Sequence, residues 1–330
     1  MNYGGGADQR GAVAPESVAS NTPPADAELG MRQDGQMTDT AQPIVVGVDG
    51  STSAVGAATW AAGVAARLAA PLHIVYATPY LGHNFTDAAA AVRAAAITGQ
   101  HEAAASILDT AADAVRRAEP DLSITTSAPP ESADEALETL SSQARMIVLG
   151  SQDVSATSAL LIGSLTLKTI SRSACPVIAW RGDILTPTTQ PIVVGVDGHN
   201  SDAALELAFE LAAALRVPLW AVRSSSSRRG PGNVTIPFLI DWEALEAMEW
   251  SSLSATVGPW AQRHPDVDVS FFVEHDKPSQ ALLQRLDGAQ LVIVGTRGHG
   301  ALAGALIGST SLNLLHHSPL PVGVCRPTAD

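Results

Sequence analysis

The octapeptide PIVVGVDG at 43–50 recurs letter for letter at 191–198, 148 positions later. Eight consecutive identities mark a duplicated unit, and self-similarity at a fixed spacing constrains a fold more than any single propensity. Two more pairs carry the repeat to its end: MIVLGSQD (146–153) against VIVGTRG (292–298), and LIGSLTLKTISRSACPV (161–177) against LIGSTSLNLLHHSPLPV (306–322). Gly163 pairs with Gly308 at an offset of 145, so the second copy has lost three residues in its middle, where turns tolerate deletion. The copies run 43–182 and 191–327, joined by DILTPTTQ (183–190), which reads as a short polar linker. A length of 330 residues accommodates two domains, each long enough to bury its own core.

Each copy alternates short aliphatic runs with longer helical segments. Ile44–Val48, Leu72–Ala77 and Met146–Leu149 lack polar alternation, as strands covered on both faces do. Ser53–Ala69, Thr86–Arg117, Ser132–Gln143 and Ser164–Arg172 are Ala-rich and open on Ser or Thr, residues suited to capping a helix. Cys175–Trp180 and Leu320–Cys325 close the copies as fifth strands. The order β-α-β-α-β-α-β-α-β argues α/β architecture: two tandem doubly wound, Rossmann-like domains, each a five-stranded parallel sheet with helices on both faces. Ligands in such folds sit beyond the carboxyl ends of the strands, where strand order reverses.

Composition narrows the partners. Apolar residues are 46% and charged residues 16%, which fits a globular chain. Residues 1–42 depart from this, being rich in Gly, Ala, Pro, Asp and Gln without apolar periodicity, and are expected to form a disordered tail. Met37 is a candidate alternative translation start. Net charge is −14 and Lys168 and Lys277 are the only lysines, leaving no basic patch for a run of phosphates. Nucleic acid and membranes are therefore not expected partners. Two cysteines, Cys175 and Cys325, are too few for a disulfide framework and fit a reducing cytoplasm. The sequence holds no run of about 18 apolar residues and no charged-then-apolar leader, so cytoplasmic residence is the expectation.

The chemistry lies just after the strands. In the second copy Leu291–Val294 is followed by GTRGHGALAGALIGSTS: Gly295, two residues, Gly298, nine residues, Gly308 and Ser309. At this composition, chance produces that spacing about 0.03 times per chain. Gly295 and Gly298 let backbone N–H groups approach an anion without a Cβ in the way, and Gly308-Ser309 opens a helix whose positive end faces the same point. Ser309 and Ser311 add hydroxyl donors. Isolated glycines more often make only tight turns, but the spacing and the strand-to-helix context favour an anion cradle. Asp197, after PIVVGV, and its counterpart Asp49 face the crevice, where a carboxylate accepts a bond from a ribose hydroxyl or an adenine amino group. An N-cap or Asx-turn is the competing reading of both.

These motifs resemble the universal stress proteins in their tandem two-domain form, common in mycobacteria and related actinobacteria. The likeness covers about 43–327, and its carriers are VGVDGS and VGVDGH, the glycine block, and the closing SACPV and SPLPV. The ATP-binding branch of that family implies ATP, accompanied by Mg, held in the second domain by Asp197, Ser224, Val294, Gly295, Gly298, Gly308, Ser309, Thr310 and Ser311. Ser224 replaces the small aliphatic residue usual near the base, and Arg223 beside it is also unusual. In the first domain Asp49, Ala77, Gly150, Gly163, Ser164 and Thr166 match, but Asp153 stands where the family has its second glycine. Two unit charges ~4 Å apart cost on the order of 4 kcal/mol at an effective dielectric of 20, so the first site is expected to be weak or empty, with a cation-bridged nucleotide as the alternative. The resemblance also implies pairing of the two domains within the chain, through the apolar fifth strands PVIAW and PVGVC, and a homodimer.

Other candidates carry less. His316-His317, with His299 nearby, lacks partners at metal-ligand spacing and reads as favourable contacts with a helix end. Trp60, Trp180, Trp220, Trp242, Trp250 and Trp260 read as core or interface anchors, and Arg228-Arg229 as a solvated loop. No G-x-S-x-G elbow occurs. The sequence thus favours a regulatory ATP-binding protein, not an enzyme, with slow hydrolysis left open. The alternatives are an ATP-hydrolysing or adenylating enzyme of the related α/β nucleotide hydrolase class, or a nucleotide-free dimeric scaffold. An adenylating enzyme needs a glycine-serine phosphate loop after strand one, which VDGSTS and VDGHNS do not supply.

Overall fold

The computed structural model describes residues 42–77, 90–151, 163–197, 201–225, 242–296 and 307–327. The expectations for the tail, Met37, Asp153, Arg228-Arg229, Gly298 and His299 lie outside these residues. In the first half the elements are β1 (Ile44–Gly47), α1 (Thr52–Arg67), β2 (Leu72–Val75), α2 (Ala90–Ala118), β3 (Ile124–Ser127), α3 (Ala133–Ser141), β4 (Met146–Gly150), α4 (Ser164–Arg172) and β5 (Val177–Trp180). The second half repeats them as β6 (Ile192–Gly195), α5 (Asp202–Leu215), β7 (Leu219–Ser224), α6 (Trp242–Arg263), β8 (Val269–Glu274), α7 (Pro278–Gln284), β9 (Leu291–Gly295), α8 (Ser309–His317) and β10 (Val322–Cys325).

Local chemistry sets the boundaries. Ser51 caps α1 by accepting the Ala54 N–H at 3.1 Å, and the Ser132 N–H donates to the Glu135 carboxylate at 3.3 Å to open α3. The closing strands are shorter than expected: they begin at Val177 and Val322, after Pro176 and Pro321, which have no N–H to give a ladder.

Strand order is β3-β2-β1-β4-β5-β10-β9-β6-β7-β8 in one ten-stranded sheet. Within each half neighbouring strands are parallel. At the seam β5 and β10 are antiparallel, with Val322 opposite Ala179 and Val324 opposite Val177. The intrachain pairing read from the apolar fifth strands is therefore present, and the described residues of both halves fall in one compact unit. One face of the sheet packs under α1, α2, α5 and α6, where Ile44, Trp60, Ile192 and Phe209 are each no more than 1% exposed. The other packs under α3, α4, α7 and α8, around Leu137, Ile170, Leu282 and Leu314.

Two arginines tie the seam by the same device. Arg181, following β5, donates from Nη1 to the Ser318 carbonyl at 3.1 Å and from Nη2 to the Leu315 carbonyl at the end of α8. Arg326, following β10, donates to the Ser173 carbonyl at the end of α4 at 3.2 Å. Each places a cation on the negative end of the other half's last helix. His316 and His317 stand in the last turn of α8 as expected, and burial, then His317 and Arg181, hold the His316 pKa below the ordinary value. Nor is 183–190 merely a spacer. The Thr188 N–H donates to Gln290 Oε1 at 2.9 Å, Gln290 Nε2 returns a bond to the Thr188 carbonyl at 3.0 Å, and Trp180 Nε1 donates to the Ile184 carbonyl at 3.2 Å. Replacing Arg181 with Ala is expected to cost about 2 kcal/mol in urea unfolding, the scale of a charge-assisted bond to a buried carbonyl.

Of the tryptophans, Trp60 and Trp180 are core residues at 1% and 4% exposure, whereas Trp250 is 41% exposed on α6. Trp220 meets Phe272 edge-on at 5.7 Å, and Arg263 lies over Trp260 at 4.2 Å. The Trp242 side chain lies outside what is described.

His73 on β2 bonds Thr125 Oγ1 through Nδ1 at 2.6 Å and Ser127 Oγ through Nε2 at 2.9 Å. Burial lowers its pKa below the ordinary 6.5. The unfolded chain therefore takes up a proton first on acidification, and stability falls as pH drops below about 6.5. A His73→Gln variant is expected to show a flatter decline in melting temperature between about pH 7 and pH 5.

Candidate functional site

In each half strand order reverses between the first and fourth strands, and a crevice opens over their carboxyl ends. In the second half it measures about 750 Å³. Seven of the residues anticipated there line it: Asp197, Ser224, Val294, Gly295, Gly308, Thr310 and Ser311. Ser309, the first residue of α8, is exposed and does not line it, and Gly298 is outside the described residues.

Gly308 is the N-cap of α8, at φ −60° and ψ 152°, and has no side chain with which to cap. The first intrahelical bond is Leu312 N–H to the Gly308 carbonyl, at 2.9 Å. The N–H groups of Ser309, Thr310 and Ser311 are thus left without intrahelical acceptors at the positive end of the helix. Ser51 shows the contrast, since its hydroxyl fills this role at α1.

Asp197 follows β6 and is held by Ser201, whose hydroxyl donates to Asp197 Oδ1 at 3.2 Å and accepts the Asp197 N–H at 2.8 Å. Asp49 accepts the Ser51 N–H through Oδ1 at 2.9 Å, an Asx-turn. The turn-forming reading is therefore realised at Asp49, whereas the Asp197 carboxylate is held by the Ser201 hydroxyl, and both stay on the crevice walls.

Two anticipated hydroxyls are engaged in structure. Ser311, 1% exposed, donates to the Gly295 carbonyl at 3.0 Å and ties α8 to the end of β9. Ser224 donates to the Asp276 carbonyl at 2.6 Å. Thr310 and Ser311 both line the crevice, and the Ser311 hydroxyl proton is given to the Gly295 carbonyl. Arg223, also on the wall, donates from Nε to Glu249 on α6 at 2.6 Å, which explains how an arginine is accommodated at 15% side-chain exposure. Sequence reasoning missed Pro278, Ala281 and Leu282 of α7, which form one side of the crevice. Their helical spacing indicates a buried face, but not what it covers.

The first-half crevice measures about 1020 Å³ and brings together Asp49, Ala77, Gly150, Gly163 and Thr166. Ser164 is exposed on α4 and does not line it. Gly150 is fixed by sterics: a Cβ there would stand 2.6 Å from the Ser53 carbonyl oxygen. Among the described residues no group of three His, Cys, Asp or Glu could hold a metal ion, and no helix is long and apolar enough to cross a membrane.

The family model of the universal stress proteins matches residues 40–181 and again 188–326. The Mycobacterium tuberculosis universal stress protein Rv2005c is 34% identical over 300 residues, covering 86% of this chain and 96% of the relative. Rv2623 from the same organism is 31% identical over 297 residues with the same coverage. A crystal structure of a universal stress protein from Archaeoglobus fulgidus shares the fold at a TM-score of 0.65 and 19% identity, covering 88% of this chain and 99% of that one. Matched twice along its length, the chain belongs to the universal stress protein family, as a tandem two-domain member.

Proposed function

We propose that this chain is an ATP-binding regulatory protein of the stress response, with the nucleotide held mainly in the second half, changing the stability or partner surface of the fold. One observation carries the reading: α8 opens on Gly308 with its first N–H groups uncapped, across a crevice from the strand-end carboxylate of Asp197. The helix end supplies donors and positive potential for phosphates, and Asp197 an acceptor for a ribose hydroxyl. Mg²⁺ would arrive on the triphosphate, coordinated chiefly by phosphate oxygens and water, with Asp197 the one carboxylate among the described wall residues. Among the described residues no His or Lys lines this crevice, which supports a binding protein rather than an enzyme. Cytoplasmic residence and a homodimer belong to the same reading, supported by the absence of a spanning helix among the described residues and by the family resemblance.

Thermal unfolding with and without ATP and Mg²⁺ tests it. At ATP about 100 times Kd, binding to the native state alone adds about 2.7 kcal/mol and raises the melting temperature by several degrees. Asp197→Ala should lose most of that rise. A melting temperature unmoved by millimolar ATP would contradict the reading.

A further inference from the structure

The two crevices share one plan and differ in polarity at aligned positions. The strand registers place Val75 of β2 and Val222 of β7 opposite equivalent glycines, Gly47 and Gly195, so Tyr76 stands at the position of Arg223 and Ala77 at that of Ser224. Leu165, the second residue of α4, stands at the position of Thr310, the second residue of α8. All six line their crevices. The first half has exchanged a guanidinium, a hydroxyl at the strand end and the facing hydroxyl of the helix tip for a phenol ring, a methyl and an isobutyl group. α4 also opens on a glycine, Gly163, with no side-chain cap, but Leu165 removes the hydroxyl beside those N–H groups, and apolar surface there disfavours a charged group that must shed water.

What the first half keeps is equally specific. Asp49 remains on the wall after β1, and its bond to the Ser51 N–H, the one it makes among the described residues, uses Oδ1. Val48, Val75, Leu137 and Leu149 supply apolar walls, and the space exceeds that of the second crevice. A carboxylate beside an apolar slot suits a flat ring carrying hydroxyl groups, since such sites orient a mostly apolar ligand with a few polar groups.

We propose that the first-half crevice binds an uncharged nucleoside-like ligand, a heteroaromatic ring bearing a diol and no phosphate, so that the two halves serve different ligand classes. The inference rests on the nucleotide reading of the second half only for the role given to the strand-end carboxylate.

Adenosine is the probe, measured by equilibrium dialysis on the full chain. The expected result is one adenosine per chain, displaced less than twofold by saturating ATP and unaffected by Gly308→Glu. Ala77→Trp should weaken adenosine at least tenfold, and Ala133→Trp, at the first residue of α3 on the crevice wall, should do the same if the first variant misfolds. Asp49→Ala should abolish the preference for adenosine over 2′,3′-dideoxyadenosine, a ratio that a purely structural role would not move. Three outcomes overturn the proposal: no adenosine binding to the native chain, adenosine lost in Gly308→Glu and displaced by ATP, or two equivalent ATP molecules per chain. If ATP binds nowhere while adenosine binding responds only to the first-half variants, the triphosphate reading fails and this one stands.

Discussion

Alanine in place of Gly150 is expected to destabilise the chain by about 2–3 kcal/mol, although the added methyl is the smallest side chain available. Its Cβ would lie 2.6 Å from the Ser53 carbonyl oxygen, 2.7 Å from that carbonyl carbon and 2.8 Å from the Ala54 nitrogen. These atoms are the backbone where α1 begins, so no rotamer change relieves the contact. Nor can α1 retreat, because Ala57, Ala58 and Ala61 on its inner face are wholly buried against the sheet. Overpacking of this kind costs about 1–3 kcal/mol, more where backbone must shift, and exceeds the roughly 0.4–1 kcal/mol gained by stiffening the unfolded chain. Gly99 in α2 and Gly258 in α6 are internal controls, since a Cβ at either meets nothing within 4 Å. Alanine at those positions should stabilise by up to about 1 kcal/mol through helix propensity. Urea unfolding of the three variants checks the argument, and equal stability of Gly150→Ala and Gly99→Ala would refute it.

Gly308→Glu is expected to weaken ATP about a thousandfold while leaving the unliganded fold within about 1 kcal/mol of the parent. The backbone at Gly308, φ −60° and ψ 152°, is open to any residue, and its place at the helix N-terminus favours a carboxylate. The same charge opposes a triphosphate: at ~4 Å and an effective dielectric of 20, repulsion is about 4 kcal/mol, close to three decades of affinity. Calorimetric titration measures the loss directly. Gly163→Glu, the equivalent change at the N-cap of α4, should leave ATP affinity unchanged if the nucleotide sits in the second half.

Much of this structure is legible in the sequence because its determinants are local. Strands such as Ile44–Gly47 and Ile192–Gly195 are aliphatic runs read without knowledge of their neighbours, and the duplication reveals their equivalence. The fifth strands announce an edge in need of a partner, but their antiparallel register depends on contacts between residues far apart in the chain. The site divides in the same way. Asp197, Gly295 and Gly308 follow from strand ends and glycine spacing. The hydroxyls of Ser224 and Ser311 could not be assigned, because their acceptors, the carbonyls of Asp276 and Gly295, become neighbours only when β7, β8, α8 and β9 assemble. Arg223 looked anomalous for a similar reason, since Glu249 lies 26 residues away and reaches it only across the packing of α6 on the sheet.

The most direct measurement is a crystal structure of the chain grown with excess ATP and Mg²⁺. The account predicts a triphosphate at the tip of α8, accepting bonds from backbone N–H groups of residues 309–311, with a ribose hydroxyl on Asp197. A second-half crevice without nucleotide density, or phosphates bound elsewhere on the chain, would contradict it.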